Sequence, residues 1–438
     1  MISLTHVCQV WREVFTSRPS LWTNLDCADA GKALVYLERS RSFPINLALA
    51  RTDGPSPSKP FFQITPRVIG RLKSLSIKAT PKNLHSITAH LSYPAPLLEK
   101  LSIDGGSRSV PRHSPALTSA IFNEDLSSLR KLRLESVRTE LPWRNMVNLT
   151  SFTLAHTPSG DISFTELLDF FESAPRLRRV NFHSVTPTGT QSGRLVSLPL
   201  LREMDITGSG RSSPLLDHLL IPVGAKLTTR IDFPCLLIED HLPSSLGNLG
   251  NFSNFTTIKL YGSDTHPHIQ FSGPNGQVTM ITGAPRLCGT RLVLRSLAQF
   301  DTSRTERLEI DFGDSPSGDL PYKALLRMEN LRRLTLSRCR SPHTFIHSLH
   351  PSMSSSGAVV CPNLEEFVIS GVVFDMEQFI GVAAARALKG AKLECVRIID
   401  RYTTTGGDVL ELEKHVSRVE YGPEVDGSNS GNGDNEGD

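Results

Sequence analysis

Leu331-Arg-Arg-Leu334-Thr-Leu336 and Leu129-Arg-Lys-Leu132-Arg-Leu134 are two copies of one short phrase, apolar-x-x-apolar-x-apolar, and that phrase decides the fold. It returns as Leu72-Leu75-Ile77, Leu98-Leu101-Ile103, Leu149-Phe152-Leu154, Leu177-Val180-Phe182 and Leu201-Met204-Ile206. Later copies are Phe255-Ile258-Leu260, Leu364-Phe367-Ile369 and Leu393-Val396-Ile398, while Leu308 and Ile310 keep the last two positions of another. Those last two positions are two residues apart, so they share one face of a strand. Most copies lie roughly 20 to 33 residues apart, the length of one supersecondary unit. Helical stretches fall between them, such as Phe164 to Ser173, ended by Pro175, and Phe374 to Leu388. Strand, return helix and next strand at this period predict an α/β solenoid of parallel strands stacked in chain order. The uneven period predicts a distorted one.

Residues between and flanking the last two apolar positions are expected to point away from the core. They are Arg133, Glu135, Thr153, Asn181, His183, Asp205, Lys259, Tyr261, Thr335, Ser337 and Val368. Stacked strands would align them into an extended face suited to a protein partner. Its charges of both signs favour a specific protein over a polyanion. Arginine clusters (Arg130-Lys131 with Arg133, Arg176 with Arg178-Arg179, Arg332-Arg333 with Arg338) are expected to be solvated and ion-paired.

The stretch from about 226 to 305 breaks the rhythm. His268-Ile-Gln-Phe271 and Gln277-Val-Thr-Met-Ile281 alternate in period two around Asn275-Gly276, which predicts a β-hairpin insertion near 266–283. Residues 51–60, 104–114, 313–318 and 352–357 read as loops rich in Pro, Gly and Ser. Residues 422–438 carry acids, no bases and mostly Gly, Asn and Ser, a composition that cannot bury a core.

With 438 residues, 39% hydrophobic content and a formal charge of +3, the chain is a folded protein without the basic excess of a nucleic-acid binder. No apolar run has bilayer length and no secretory leader opens the sequence, so no membrane partner is expected. The seven cysteines are scattered, with no CxxC. Asn148-Leu-Thr150, Asn251-Phe-Ser253 and Asn254-Phe-Thr256 match the glycosylation tripeptide but carry no weight without a leader. The compartment expected is reducing, cytosol or nucleus.

Catalytic motifs are missing: no GxxxxGK[ST], HExxH or GxSxG occurs. His343, His347 and His350 have metal-like spacing on a helix. Phe345, Ile346 and Leu349 would take the buried face there and leave the histidines in solvent, so neither metal nor cofactor is expected. An enzyme on the repeat framework would need a pocket of titratable groups, and none is legible.

Near the start, Leu4, Val7, Cys8, Trp11, Val14 and Phe15 draw one apolar stripe along a helix. Arg18-Pro19 ends the helix, and Leu21-Trp22 can fold back on the stripe. Cover by Leu34, Leu37 and Leu47 is expected, with Cys8 as a small core residue. Any stripe residue left bare would mark a docking surface.

Residues 1–27 resemble the second half of an F-box, through Leu4, Thr5, Val7, Cys8, Trp11, Arg12, Ser17-Arg18-Pro19-Ser20 and Leu21-Trp22. An F-box usually opens with a Leu-Pro pair and a further apolar helix, so the module here is read as incomplete. The body, 71–421, is similar to leucine-rich repeats, although most copies lack the Asn or Cys that follows the strand. Residues 28–70 would be a helical link. These resemblances imply a non-catalytic subunit of a Skp–cullin–F-box ubiquitin ligase. Leu4, Val7, Cys8, Trp11, Pro19, Leu21 and Trp22 would meet the Skp-type adaptor. Arg133, Glu135, Asn181, His183, Asp205, Lys259, Tyr261, Thr335 and Ser337 would meet the protein substrate. The alternative is a repeat scaffold uncoupled from the ligase.

Overall fold

The computed structural model describes residues 8–50, 59–106, 117, 121–139, 145–157, 162–189, 193–208, 213–231, 241–252, 254–263, 266–282, 289–297, 300–311, 318–339, 342–353, 357–399 and 406–422. Leu4, Val7 and the tail beyond Gly422 lie outside them. The chain is mixed α/β and divides into two units, Met1–Thr229 with Leu242–Gly250, and Arg230–His241 with Asn251–Asp438.

The first unit begins with α1 (Gln9–Thr16), β1 (Asn24–Asp26), α2 (Ala30–Arg39), β2 (Ile45–Ala50), α3 (Lys59–Val68) and β3 (Leu72–Lys78). It continues with α4 (Pro81–Thr88), β4 (Lys100–Asp104), β5 (Lys131–Glu135), β6 (Ser151–Ala155), α5 (Phe164–Ser173) and β7 (Arg179–His183). Then come β8 (Val196–Ser197), β9 (Glu203–Gly208), α6 (Ser213–Leu216), β10 (Leu219–Leu220) and β11 (Lys226–Ile231), which belongs to this unit up to Thr229. β1 to β7 and then β9 pair in chain order, all parallel. β8 and β10 form a separate parallel pair.

The register follows the phrase. Leu75, Leu101, Leu132, Phe152, Val180 and Met204 are direct partners on successive strands, and every one is buried. Ile77, Ile103, Leu134, Leu154, Phe182 and Ile206 make the second row. A slip of one residue would turn both rows to water, so burial fixes the pairing. The sheet also begins earlier than the phrase. β1 and β2 carry no copy, yet Leu25, Ile45, Leu47 and Leu49 alternate into the core.

Each strand of this unit that carries the phrase is entered through the same tight turn. The N–H of the first phrase residue donates to the carbonyl three residues back: Leu129 to Leu126 and Leu149 to Met146 at 3.0 Å, Leu177 to Ala174 and Leu201 to Leu198 at 3.1 Å. Those earlier residues are buried as well, so the repeating unit is longer than the phrase. A polar side chain just before the phrase then ties one turn to the previous one. Ser128 Oγ donates to the Pro96 carbonyl at 2.7 Å, and Asn148 Nδ2 to the Ser127 carbonyl at 2.8 Å. Beyond several strands the backbone enters the left-handed region, at Ser136 (φ 54), His156 (φ 52), Ser184 (φ 52) and Arg338 (φ 49). A Cβ at Gly105 would run into the Ser136 carbonyl, so that close approach requires glycine.

The second unit holds β12 (Thr257–Ser263), β13 (His266–Gly273), β14 (Gly276–Thr282), α7 (Gly289–Leu297), β15 (Arg307–Asp311) and α8 (Leu320–Leu326). β16 (Arg333–Ser337), α9 (His343–Ser348), β17 (Glu366–Ser370), α10 (Met376–Leu388), β18 (Cys395–Ile399), α11 (Gly406–Glu413) and β19 (Arg418–Gly422) complete it. β12 and β15 to β19 pair parallel in chain order, with Ile258, Leu308, Leu334, Phe367, Val396 and Val419 in one row. β19 carries a copy of the phrase, Val416-Val419-Tyr421, beyond those counted from sequence.

The expected hairpin is β13–β14, but Gly273 faces Gly276, so Pro274 and Asn275 form the turn instead of Asn275-Gly276. It extends the sheet, because β13 also pairs antiparallel with β12. Asn330 and Asn363 repeat the turn-to-turn bonds, to the Ser303 carbonyl at 2.8 Å and the Glu329 carbonyl at 3.0 Å. From α10, the buried Arg386 donates to the carbonyls of Val360 (2.6 Å) and Cys361 (2.9 Å), holding the turn before β17.

Leu334→Asp, placing a charge in the centre of the second unit's core, should cost about 3–5 kcal/mol in urea unfolding. Burial pushes His241 down to about 3. In the unfolded chain it returns to about 6.5. Between those values only the unfolded state binds the proton, so stability falls as pH drops from about 6.5 toward 3. His241→Asn should flatten that slope, seen as a smaller loss in urea midpoint between pH 7 and pH 4.5.

Candidate interaction surfaces

No residue of α1 is buried. Val10 is 67% exposed, Trp11 49% and Val14 44%. Trp11 stacks on Phe15 with ring centroids 5.5 Å apart. The expected cover does not form: Leu34 is itself exposed, Leu37 is half-buried, and Leu47 is spent in the core of β2. Cys8 is exposed, so it is not a core residue. The stripe is therefore bare at Trp11 and Val14, and Val10, which the sequence pattern leaves out of it, is exposed beside them.

Trp22 behaves oppositely. It closes the short turn Pro19–Trp22, is fully buried, and donates from Nε1 to the Phe15 carbonyl at 2.8 Å. Tyr36 meets its ring edge-on at 5.0 Å, and the Arg39 guanidinium lies 4.4 Å from its centroid. Trp22 is thus the anchor that joins the end of α1 to α2, and no partner can reach it in the folded protein. Pro19 and Leu21 are half-buried.

The residues expected on the polar face do line up, each set within its own unit. In the first, Arg133, Thr153, Asn181 and Asp205 are direct cross-strand partners, and Glu135, Ala155, His183 and Thr207 form the next row. Arg133 pairs with Glu135 at 2.8 Å. In the second, Lys259, Glu309, Thr335, Val368, Arg397 and Glu420 share one row, with Tyr261, Asp311 and Ser337 in the next. Here the charges are knitted together. Lys259 pairs with Glu309 at 3.2 Å, Arg333 with Glu366 at 3.2 Å, and Arg397 with Glu420 at 2.7 Å. Burial raises the Tyr261 phenol above its usual range, partly offset by Lys259. Val368 departs from expectation and is buried. Its row neighbour Arg397 has a long aliphatic stem that can cover such a short apolar side chain.

An apolar cavity of about 310 Å³ opens beyond β7 and β9, lined by Phe164, Leu167, Phe182, Val185, Pro187 and Ile206 among others. It explains why Ile206 alone of its row is only half-buried. Nothing in the phrase marks it, because its walls come from separate segments. On α9, Phe345, Ile346 and Leu349 are buried while His343 and His347 face solvent. Among the described residues no three His, Cys, Asp or Glu side chains gather as metal ligands, and no helix is long and apolar enough to cross a membrane. Burial pushes the Cys27 and Cys361 thiols up to about 12, away from nucleophilic use.

Trp22→Ala should cost about 3–5 kcal/mol, whereas Trp11→Ala, at an exposed site, should leave the melting temperature nearly unchanged. Acrylamide should quench the Trp11 emission and spare that of Trp22. No protein-family model matches the sequence, and no curated protein matches it, so these surfaces themselves carry the functional reading.

Proposed function

We propose that this chain is a non-catalytic, substrate-recruiting subunit of a Skp–cullin–F-box ubiquitin ligase, acting in the cytosol or nucleus. In this reading the parallel strands of each unit belong to turns of an irregular leucine-rich-repeat-like solenoid behind a partial F-box. The observation that carries it is the bare apolar patch on α1, formed by Trp11 and Val14 of the stripe with Val10 beside them, held in place by the buried Trp22. A folded chain leaves such side chains in water at a cost, and exposed apolar patches mark docking surfaces.

The work would be done by proximity. The adaptor and cullin hold one end of the chain, and the polar rows around Arg133, Asn181 and Asp205, or Lys259, Tyr261 and Ser337, hold the protein target. Target lysines are then kept at high local concentration beside the conjugating enzyme. No residue of the chain breaks or forms a bond.

A standard interface takes about 800 Å² from each partner, more than a helix of 8 residues presents. Binding of the intact chain to purified Skp-type adaptor is therefore expected to be weak, measurable by calorimetry at micromolar concentration. Val10→Asp with Trp11→Ala should abolish it while the melting curve stays in place, since neither residue is buried. Adaptor binding that survives both changes, or no binding at all, removes the ligase and leaves the free-standing scaffold.

A further inference from the structure

The edge of the first unit's sheet where its strands begin is charged in a way the repeat does not require. The residue after the first phrase position runs Lys73, Glu99, Arg130, Thr150, Arg178 and Arg202. Each N–H in this row donates to the carbonyl of the residue before it in the row, at 2.8–2.9 Å, and Lys226 N–H continues to the Arg202 carbonyl at 2.8 Å. The side chains are thus set one strand apart, about 4.8 Å. The adjoining row contributes Lys100, Lys131 and Arg179.

Only two acids sit in these rows, and both are taken: Glu99 by Lys73 at 3.8 Å and Glu203 by Arg179 at 3.7 Å. Asp125, in the turn before β5, is held by the Ser127 hydroxyl at 2.7 Å. Among the described residues, Lys100, Arg130, Lys131, Arg178, Arg202 and Lys226 are exposed and make no ion pair. The carboxylates of Asp104 and Glu135 close the far ends of β4 and β5, and Asp205, inside β9, accepts from the Thr207 hydroxyl at 3.0 Å. In the second unit the equivalent row is Glu306, Arg332, Glu365 and Glu394, where Arg332 pairs with Glu365 at 3.2 Å. The cationic edge is a property of the first unit alone.

This edge is also grooved. Two cavities of about 290 and 260 Å³ share Arg130 and Asn148. One reaches to Lys73, Pro96 and Leu97, the other to Arg176, Arg178 and Leu200. Asn148 Oδ1 accepts from Arg176 at 2.8 Å and fixes that guanidinium at the groove wall. Leu97 and Leu200 are exposed apolar side chains on the rim.

We propose that this groove docks an extended acidic peptide segment of a partner protein. Carboxylates or phosphates would bridge the forks of Arg130, Arg178 and Arg202, and aliphatic side chains would cover Leu97 and Leu200. From β4 to β11 is five strand spacings, about 24 Å, which an extended chain spans in about seven residues. Nucleic acid fits less well: no aromatic ring lines either cavity to stack a base. The inference is independent of ligase coupling, since no adaptor takes part.

The test is fluorescence anisotropy with the intact chain and three labelled probes: a nine-residue peptide of alternating Glu and Leu, its Lys-for-Glu counterpart, and a short poly-uridylate RNA. The acidic peptide should bind, the basic one should not, and raising salt from about 0.1 to 0.5 M should weaken binding at least tenfold, because the contacts are exposed charges. Arg130→Glu with Arg178→Glu should lower affinity at least tenfold, and Lys392→Glu, an exposed cation of the second unit, should not change it. If the double reversal shifts the circular-dichroism melt, Arg130→Gln with Arg178→Gln serves in its place. No binding of the acidic peptide, binding indifferent to these substitutions, or tighter binding of the RNA overturns the proposal.

Discussion

In both units the fold depends on the parallel pairing of strands too short to stand alone. A strand of five residues buries two or three apolar side chains on one face, worth about 2 kcal/mol each, and ordering its backbone costs a similar amount or more. Only when neighbours cover both edges do the buried rows close. The tight turn before each strand and the side-chain bond from Asn148, Asn330 or Asn363 to the previous turn set the pitch at which that can happen. Once the pitch is fixed, a residue's place in the six-letter phrase decides its environment: core, polar face or starting edge.

This explains what was legible in the sequence and what was not. Rows of buried residues repeat a local pattern, so the strands at Leu75, Leu132, Val180 or Phe367 could be read directly. β1 and β2 alternate without the leading apolar residue, so the phrase does not mark them, and β19 closes its copy on Tyr421, which is exposed. The buried fourth position of each turn has no signature of its own, since Ala95, Leu126, Met146 and Ala174 share only their apolarity. Trp11 and Trp22 looked alike in sequence. Their fates separate through contacts with Phe15, Tyr36 and Arg39 that depend on a turn of the chain.

Charge was the least legible property. Arg130-Lys131 and Arg332-Arg333 are near-identical pairs in near-identical phrases, and both were expected to be ion-paired. Pairing is set across strands, by what occupies the same position one repeat away. Arg332 lies between Glu306 and Glu365 and pairs with the latter, while Arg130 lies between Thr150 and Glu99, whose carboxylate is turned to Lys73. The same geometry thus yields a neutralised surface in one unit and a cationic edge in the other.

The left-handed residues that follow several strands carry another consequence. Ser136, His156, Ser184 and Arg338 hold a conformation that costs an ordinary L-residue about 1 kcal/mol or more. Glycine would relieve it but give back about 0.5–1 kcal/mol through the greater freedom of the unfolded chain. Asparagine tolerates the conformation without that loss. Ser184, exposed and outside every surface discussed above, is the position with room for it. The molecule therefore holds unused thermal head-room in its strand exits, open to drift or engineering without touching its core or its charges.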